Sequence, residues 1–243
     1  MPPETLRAST VLFDLDDTLF QHRESVEAGI AAHRSTLGGA IAAADRAAEF
    51  VRWNALEELH YHRYLSGELD FQEQRRARVR DFVAHHGMTL DTDADADTWY
   101  GAYLLHYTDA WALHDDALDC LAALRPARFG VITNGQFEPQ QSKIDGVGLA
   151  PWLDHVIASG DVGVTKPDAR IFELACEAFS AAPGDAVYVG DRLHTDAIGA
   201  ARAGLLGVWL DRPGIANAAQ LAEAAAEGVR VIRSLAQLPA LLA

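Results

Sequence analysis

From His114 onward the chain alternates short β-type runs with helical stretches, and this rhythm constrains the fold more than any other feature of its 243 residues. Strands are expected at 129–133, 155–158, 186–189, 206–210 and 229–232, with helices at about 115–125, 137–147, 168–179, 194–203 and 217–226. A strand, a helix and a further parallel strand must cross over the sheet. Repetition of that unit gives a parallel sheet covered by helices on both faces. An apolar run, Val11-Leu12-Phe13, stands far upstream of this series and supplies a first buried strand.

Between them, from roughly 21 to 111, the pattern is different. Apolar residues recur at helical spacing, for example Phe50, Trp53, Leu56, Leu59 and Tyr61, in a background rich in Ala, Glu, Arg and His. Breaks fall at Gly38-Gly39, Ser66-Gly67 and His86-Gly87, and proline is absent, so about four helices are expected. The acidic stretch 91–97 reads as a solvated loop and helix start. Chain order therefore implies an α/β fold with a doubly wound parallel sheet, interrupted after its first strand by an inserted α-helical domain. The expected boundaries are 1–20 and 113–243 for the core and 21–112 for the insertion.

Composition narrows the partners. A hydrophobic fraction of 49% and a charged fraction of 23% are those of an ordinary globular protein. The formal charge of −15 argues against nucleic-acid or acidic-membrane binding, both of which need a basic surface. It also opposes the approach of an anionic substrate unless a cation acts locally. Lysine is scarce, with only Lys143 and Lys166, so the placement of a lysine carries information. Cys120 and Cys176 have neither metal-ligand nor disulfide-scaffold spacing. Residues 1–10, with Glu4 and Arg7, do not resemble a signal peptide, and no apolar run is long enough to span a membrane. A cytoplasmic protein is expected.

Four small polar groups stand just beyond the C-terminal ends of expected strands or in the loops that follow, the edge where open α/β sheets bind ligands. They are Asp14, Asp16 and Thr18; Thr133 and Asn134; Lys166 before Pro167; and Asp191 with Asp196. Asp14 and Asp16, two apart on an extended segment, would point the same way. A single acid at a strand end reads as a cap for the next element. Several converging acids need a cation, because unit charges about 4 Å apart repel by about 4 kcal/mol at an effective dielectric of about 20. Asp14, Asp16 and Asp191 thus form a hard-oxygen set suited to Mg²⁺. Thr133 and Asn134, followed by Gly135, suit phosphoryl oxygens, although Asn-Gly is also a turn signal. Pro167 disfavours helical geometry at Lys166 and places it on an extended loop before a helix. Asp196 would orient Lys166 or a metal-bound water, or serve only as a helix-start acid favoured by the macrodipole.

In this order and spacing, Asp14-Leu15-Asp16-Asp17-Thr18, Thr133, Lys166-Pro167 and Gly190-Asp191 through Asp196 resemble the four motifs of the haloacid dehalogenase-like (HAD) hydrolase superfamily. The helical insertion resembles the C1-type cap of its phosphatase branch. The resemblance implies a Rossmann-like core and a Mg²⁺-dependent phosphatase acting on a small phosphorylated metabolite, such as a nucleotide or sugar phosphate. It implies Asp14 as the nucleophile that forms an aspartyl-phosphate, and Asp16 as general acid and base. It further implies Thr133 and Asn134 as phosphate-binding residues and Lys166 as the cation beside nucleophile and phosphate. Asp14, the Asp16 carbonyl and Asp191 would be the Mg²⁺ ligands, with Thr18 and Asp196 in support. Asp16 speaks against a dehalogenase, whose halide leaves without a proton. Thr18 speaks against a phosphomutase, where glycine is favoured. A non-catalytic phosphoacceptor module would lack the second acid.

Overall fold

The computed structural model describes residues 9–243. The expectation of no leader sequence therefore rests almost wholly on positions outside the described residues. By internal packing the chain divides into two units, one running to Gln21 and resuming at Ala112–Ala243, the other His22–Trp111.

The first unit is built on six strands: β1 (Thr10–Phe13), β2 (Arg128–Thr133), β3 (His155–Ala158), β4 (Ala186–Gly190), β5 (Leu206–Leu210) and β6 (Arg230–Ile232). They form one parallel sheet in the order β3-β2-β1-β4-β5-β6. Phe13 is level with both Val131 and Val189, so β1 lies between β2 and β4 at the centre. The chain works outward through β2 and β3, then returns to the other side of β1 for β4. That reversal opens a crevice at the C-terminal ends of β1 and β4, the usual ligand position in this topology.

Burial explains why these short runs become strands. All four residues of β1 are inaccessible to solvent, and each buried Val, Leu or Phe side chain stabilises by roughly 1.5–3 kcal/mol. Leu12, Ile132 and Tyr188 pack on one face with Ile171, Phe172, Ala175 and Phe179. Those four belong to a helix over Ala169–Phe179, whose start is capped by Asp168 accepting from the Arg170 amide at 2.9 Å. On the same face Trp209 packs with Leu193, Ala197, Ile198 and Ala224. Residues of opposite parity, Val11, Phe13, Val131, Val187, Val189 and Val208, are equally buried, so both faces are covered. Cys120 and Cys176 are buried free thiols, and burial pushes Cys120 up to about 12.

The second unit is helical, with α1 (His22–Leu37), α2 (Gly39–Ala43), α3 (Arg46–Leu65), α4 (Phe71–Ala84) and α5 (Asp93–Asp109). Four long helices match the expected number, and α2 adds a single short turn after the Gly38-Gly39 break. The acidic run before α5 works as a capping box, in which Thr92 and Asp95 satisfy each other's backbone amides. The core is aromatic: Trp53 meets Phe82 edge-on at 5.1 Å and Tyr103 at 4.7 Å between ring centroids. Many charged side chains are bound within the unit. Arg78 is buried against Glu57 and the Tyr100 hydroxyl, Arg76 pairs with Asp93 and Asp97, and His60 pairs with Asp81.

His33 gives this unit a pH dependence. Its ring is buried edge-on to Trp99 at 4.3 Å, and neither nitrogen has a hydrogen-bond partner among the described residues. Burial, and then the neighbouring His106, lower its pKa from 6.5 to about 4. A lowered imidazole pKa means that the unfolded chain takes up the proton first, so the stabilisation is complete above about pH 6.5 and lost as pH falls toward 4. The expected loss is roughly 2–3 kcal/mol across that window. Denaturant melts of wild type and His33→Phe at pH 7 and pH 4.5 check it; equal pH slopes in the two proteins would remove His33 as the cause.

Candidate active site

Asp14 is the first residue after β1. Its amide donates to the Val189 carbonyl at 2.8 Å, so the sheet extends one bond past the strand and fixes the backbone of the acid. The chain turns immediately after Asp16. Asp17 is left-handed at φ 61°, and the amides of Leu19 and Phe20 return to the Leu15 carbonyl at 3.1 and 2.9 Å.

The structure brings Lys166, Asp14 and Asp196 into direct contact. Lys166 Nζ donates to Asp14 Oδ1 at 2.6 Å, to Asp196 Oδ1 at 2.8 Å and to the Tyr188 hydroxyl at 2.7 Å. The loop that carries Lys166 is itself held by Asn134. The Asn134 Oδ1 accepts from the Lys166 amide at 2.7 Å, and its Nδ2 donates to the Lys166 carbonyl at 2.9 Å. Both polar atoms of the Asn134 side chain are thus engaged with a backbone.

Asp196 lies on a π-type turn over Leu193–Ile198, beyond β4. Its Oδ2 accepts from the Arg192 amide at 3.0 Å, so both oxygens have donors and its contact with Lys166 is direct. Gly190 makes this approach possible: a Cβ there would sit 2.5 Å from the Asp196 Cβ. Asp191 follows Gly190, and one carboxylate oxygen from each of Asp14, Asp191 and Asp196 lies within 4.8 Å of the others. Burial pushes Asp191 up to about 8, with Asp14, Asp196 and Asp17 adding repulsion. Asp14 rises to about 7 because burial, supported by Asp196 and Asp16, outweighs the pull of Lys166. Burial alone would lower Lys166, but Asp14 and Asp196 hold its ammonium well above the usual lysine value. Three carboxylates around one ammonium leave excess negative charge, and an all-oxygen set of this kind fits a hard divalent cation.

Asp16 stands in a different set of contacts. Its Oδ1 and Oδ2 accept from Lys143 Nζ at 2.7 and 3.0 Å, and its Oδ2 also accepts from Gln140 Nε2 at 3.0 Å. Gln140 reaches Thr133 Oγ1 at 2.5 Å. Gln140 and Tyr188 were not singled out in the sequence, and Lys143 was noted only for the scarcity of lysine. The scarcity of lysine applied to Lys143 as much as to Lys166, and that was the available signal. Thr18 departs from the expected supporting role: its hydroxyl is buried with no hydrogen-bond partner among the described residues, because the turn carries it inward. Its carbonyl accepts from Arg212 at 2.8 Å, a tie to a later loop of the same unit.

Comparison with known proteins agrees with this architecture. Residues 8–204 match the model of the haloacid dehalogenase-like hydrolases. A ribulose-1,5-bisphosphate 5-phosphatase of Halopiger xanaduensis is 30% identical over 90% of this chain and 91% of its own. A phosphoserine phosphatase of Thermus thermophilus is 43% identical, but the match covers only 37% of this chain and 36% of that protein. A magnesium-bound HAD hydrolase of Bacillus subtilis superposes with a TM-score of 0.76 at 20% identity, over 97% of this chain and 99% of that one. Solved 2-haloacid dehalogenases share the fold as well, so the fold alone does not choose between phosphoryl and carbon–halogen chemistry. With the family model covering most of the chain and all four polar groups gathered at one sheet edge, this protein belongs to the haloacid dehalogenase-like hydrolases.

Proposed function

We propose that this chain is a Mg²⁺-dependent phosphatase that hydrolyses small phosphate monoesters through an aspartyl-phosphate on Asp14. The observation that carries the reading is the placement of two acids on one turn with two different cationic partners, Asp14 on Lys166 and Asp16 on Lys143. A nucleophile and a proton-transfer acid need such separate environments. A halide leaving group would need no acid at Asp16, so this pairing favours phosphoryl transfer over dehalogenation. The names of the similar proteins, phosphatases of sugar phosphates and phosphoserine, support the same substrate class.

In this reading Asp14 attacks phosphorus, the phosphorus–oxygen bond to the alcohol breaks, and the departing oxygen takes a proton from Asp16. Asp16, now a carboxylate, accepts a proton from water as that water attacks the aspartyl-phosphate. The Asp14 carboxylate is regenerated and phosphate leaves. Lys166 offsets the charge of nucleophile and phosphoryl group. Gln140 donates to Thr133 Oγ1, so the threonine hydroxyl proton is directed to a phosphate oxygen. Asn134 would contribute from its main chain, since its amide group holds the Lys166 loop. Asp14 and Asp191, with the Asp16 carbonyl, would hold Mg²⁺, which supplies Lewis-acid neutralisation of the phosphoryl oxygens. Asp196 is assigned the orientation of Lys166.

The proposed substrate is a small phosphorylated metabolite, such as a sugar phosphate or nucleotide. Among the described residues no helix is long and apolar enough to cross a membrane, and the two buried free thiols suit a reducing, cytoplasmic setting. A panel of phosphorylated metabolites assayed with and without Mg²⁺ tests the proposal. Chelator is expected to reduce turnover to background and Mg²⁺, rather than Zn²⁺, to restore it, from the oxygen-only ligand set. Full turnover in excess chelator would remove the metal, and no turnover of any ester would remove the phosphatase.

A further inference from the structure

The two lysines of this chain both lie in the same site, yet only Lys166 belongs to a motif recognised in the sequence. Lys143 lies on a helix over Phe137–Gly146 that begins a few residues after β2. Gln140 and Lys143 are three residues apart, on one face of that helix. Both are buried, and both reach the same carboxylate. Together they supply three short contacts to the two oxygens of Asp16, and Lys143 Nζ also lies 5.3 Å from the centre of the Phe20 ring. Gly135 leaves the space that Gln140 fills, since a Cβ there would stand 2.8 Å from Gln140 Cγ. Long polar side chains lose about 1.5–2 kcal/mol of rotamer freedom when fixed, so a buried lysine and glutamine converging on one acid is a built arrangement.

We infer that Gln140 and Lys143 are positioning residues that aim the Asp16 carboxyl group at the leaving-group oxygen. The inference rests on the phosphatase reading above. When the ester bond breaks, its electron pair goes to the alcohol oxygen and the Asp16 proton follows. The carboxylate left behind faces the Lys143 ammonium. Gln140 couples this acid to Thr133, so one helix sets the geometry of both the proton donor and a phosphate contact.

The test exploits the leaving group. The quantity kcat/KM covers steps through departure of the alcohol, so it reports protonation of that group and not the later hydrolysis. Lys143→Met is expected to lower kcat/KM for the best alkyl phosphate of the panel by about 30–300-fold, within the range of general-acid effects. For p-nitrophenyl phosphate, whose leaving group needs no proton, the loss is expected to stay below about fivefold. Slower hydrolysis of the intermediate should then appear as a stoichiometric burst of p-nitrophenolate. Lys143→Arg, which keeps the charge, should recover most of the alkyl-ester rate. A purely structural lysine would lower both esters alike or only shift the melting temperature, and either outcome overturns the inference. If Lys143→Met does not fold, Gln140→Leu and Lys143→Arg are read by the same ratio of the two esters. Absence of turnover by the wild-type protein on both esters would instead overturn the phosphatase reading.

Discussion

Replacement of Asp14 by asparagine is expected to abolish phosphate-ester turnover, by roughly four orders of magnitude or more, while the protein stays folded. An amide has the volume of the carboxylate but cannot act as the nucleophile, and no other residue in the cluster stands in its place at the end of β1. Folding should survive because Lys166 keeps Asp196 at 2.8 Å and the Tyr188 hydroxyl at 2.7 Å. The Asp14 amide also keeps its bond to Val189. The measurement is steady-state turnover of purified Asp14→Asn, together with acid-quench trapping of labelled phosphate on the wild-type protein. Residual activity within about a hundredfold of wild type would eliminate the covalent route.

Lys166→Met should damage both stability and chemistry. The lysine is buried and is the direct cationic partner of two buried acids, Asp14 and Asp196. Removing one partner of a buried ion pair leaves an uncompensated charge and costs about 3–5 kcal/mol. For a chain of this size that corresponds to a melting temperature lower by roughly 6–20 °C. Turnover should fall by about 10²–10³-fold even where the variant is folded, because the ammonium offsets charge gathered on the phosphoryl oxygens. A thermal scan and an assay well below the melting point separate the two effects. If Lys166→Met melts with wild type and keeps its activity within a fewfold, Lys166 is neither a structural nor a catalytic cation.

Periodicity was enough to place the strands to within a residue. Strand β3 and strand β5 fall at the expected residues, and β1, β2, β4 and β6 differ by one residue at an end. The reason is that the central strands are buried on both faces, so they are written as largely apolar runs. Asp14, Thr133 and Asp191 were legible because each stands at the end of such a run, and Lys166 because lysine is scarce and this one precedes a proline. Gln140 and Tyr188 were not, and Lys143 was marked only by the scarcity of lysine. A lysine on a helix or a tyrosine in a strand carries no local mark of what lies across the fold from it.

What the amino-acid order alone determined was the class of fold and which polar residue types follow the strands, from which a chemistry could be proposed. These depend on local apolar pattern and on spacing along the chain. Tertiary structure decided the partnerships: that Lys166 binds both Asp14 and Asp196, that Asn134 holds the Lys166 backbone, and that Asp16 belongs to Lys143 and Gln140. Each of those contacts joins residues 30 or more positions apart, and some more than 120. Such pairing is set by strand order and helix docking, quantities that no short window of sequence contains.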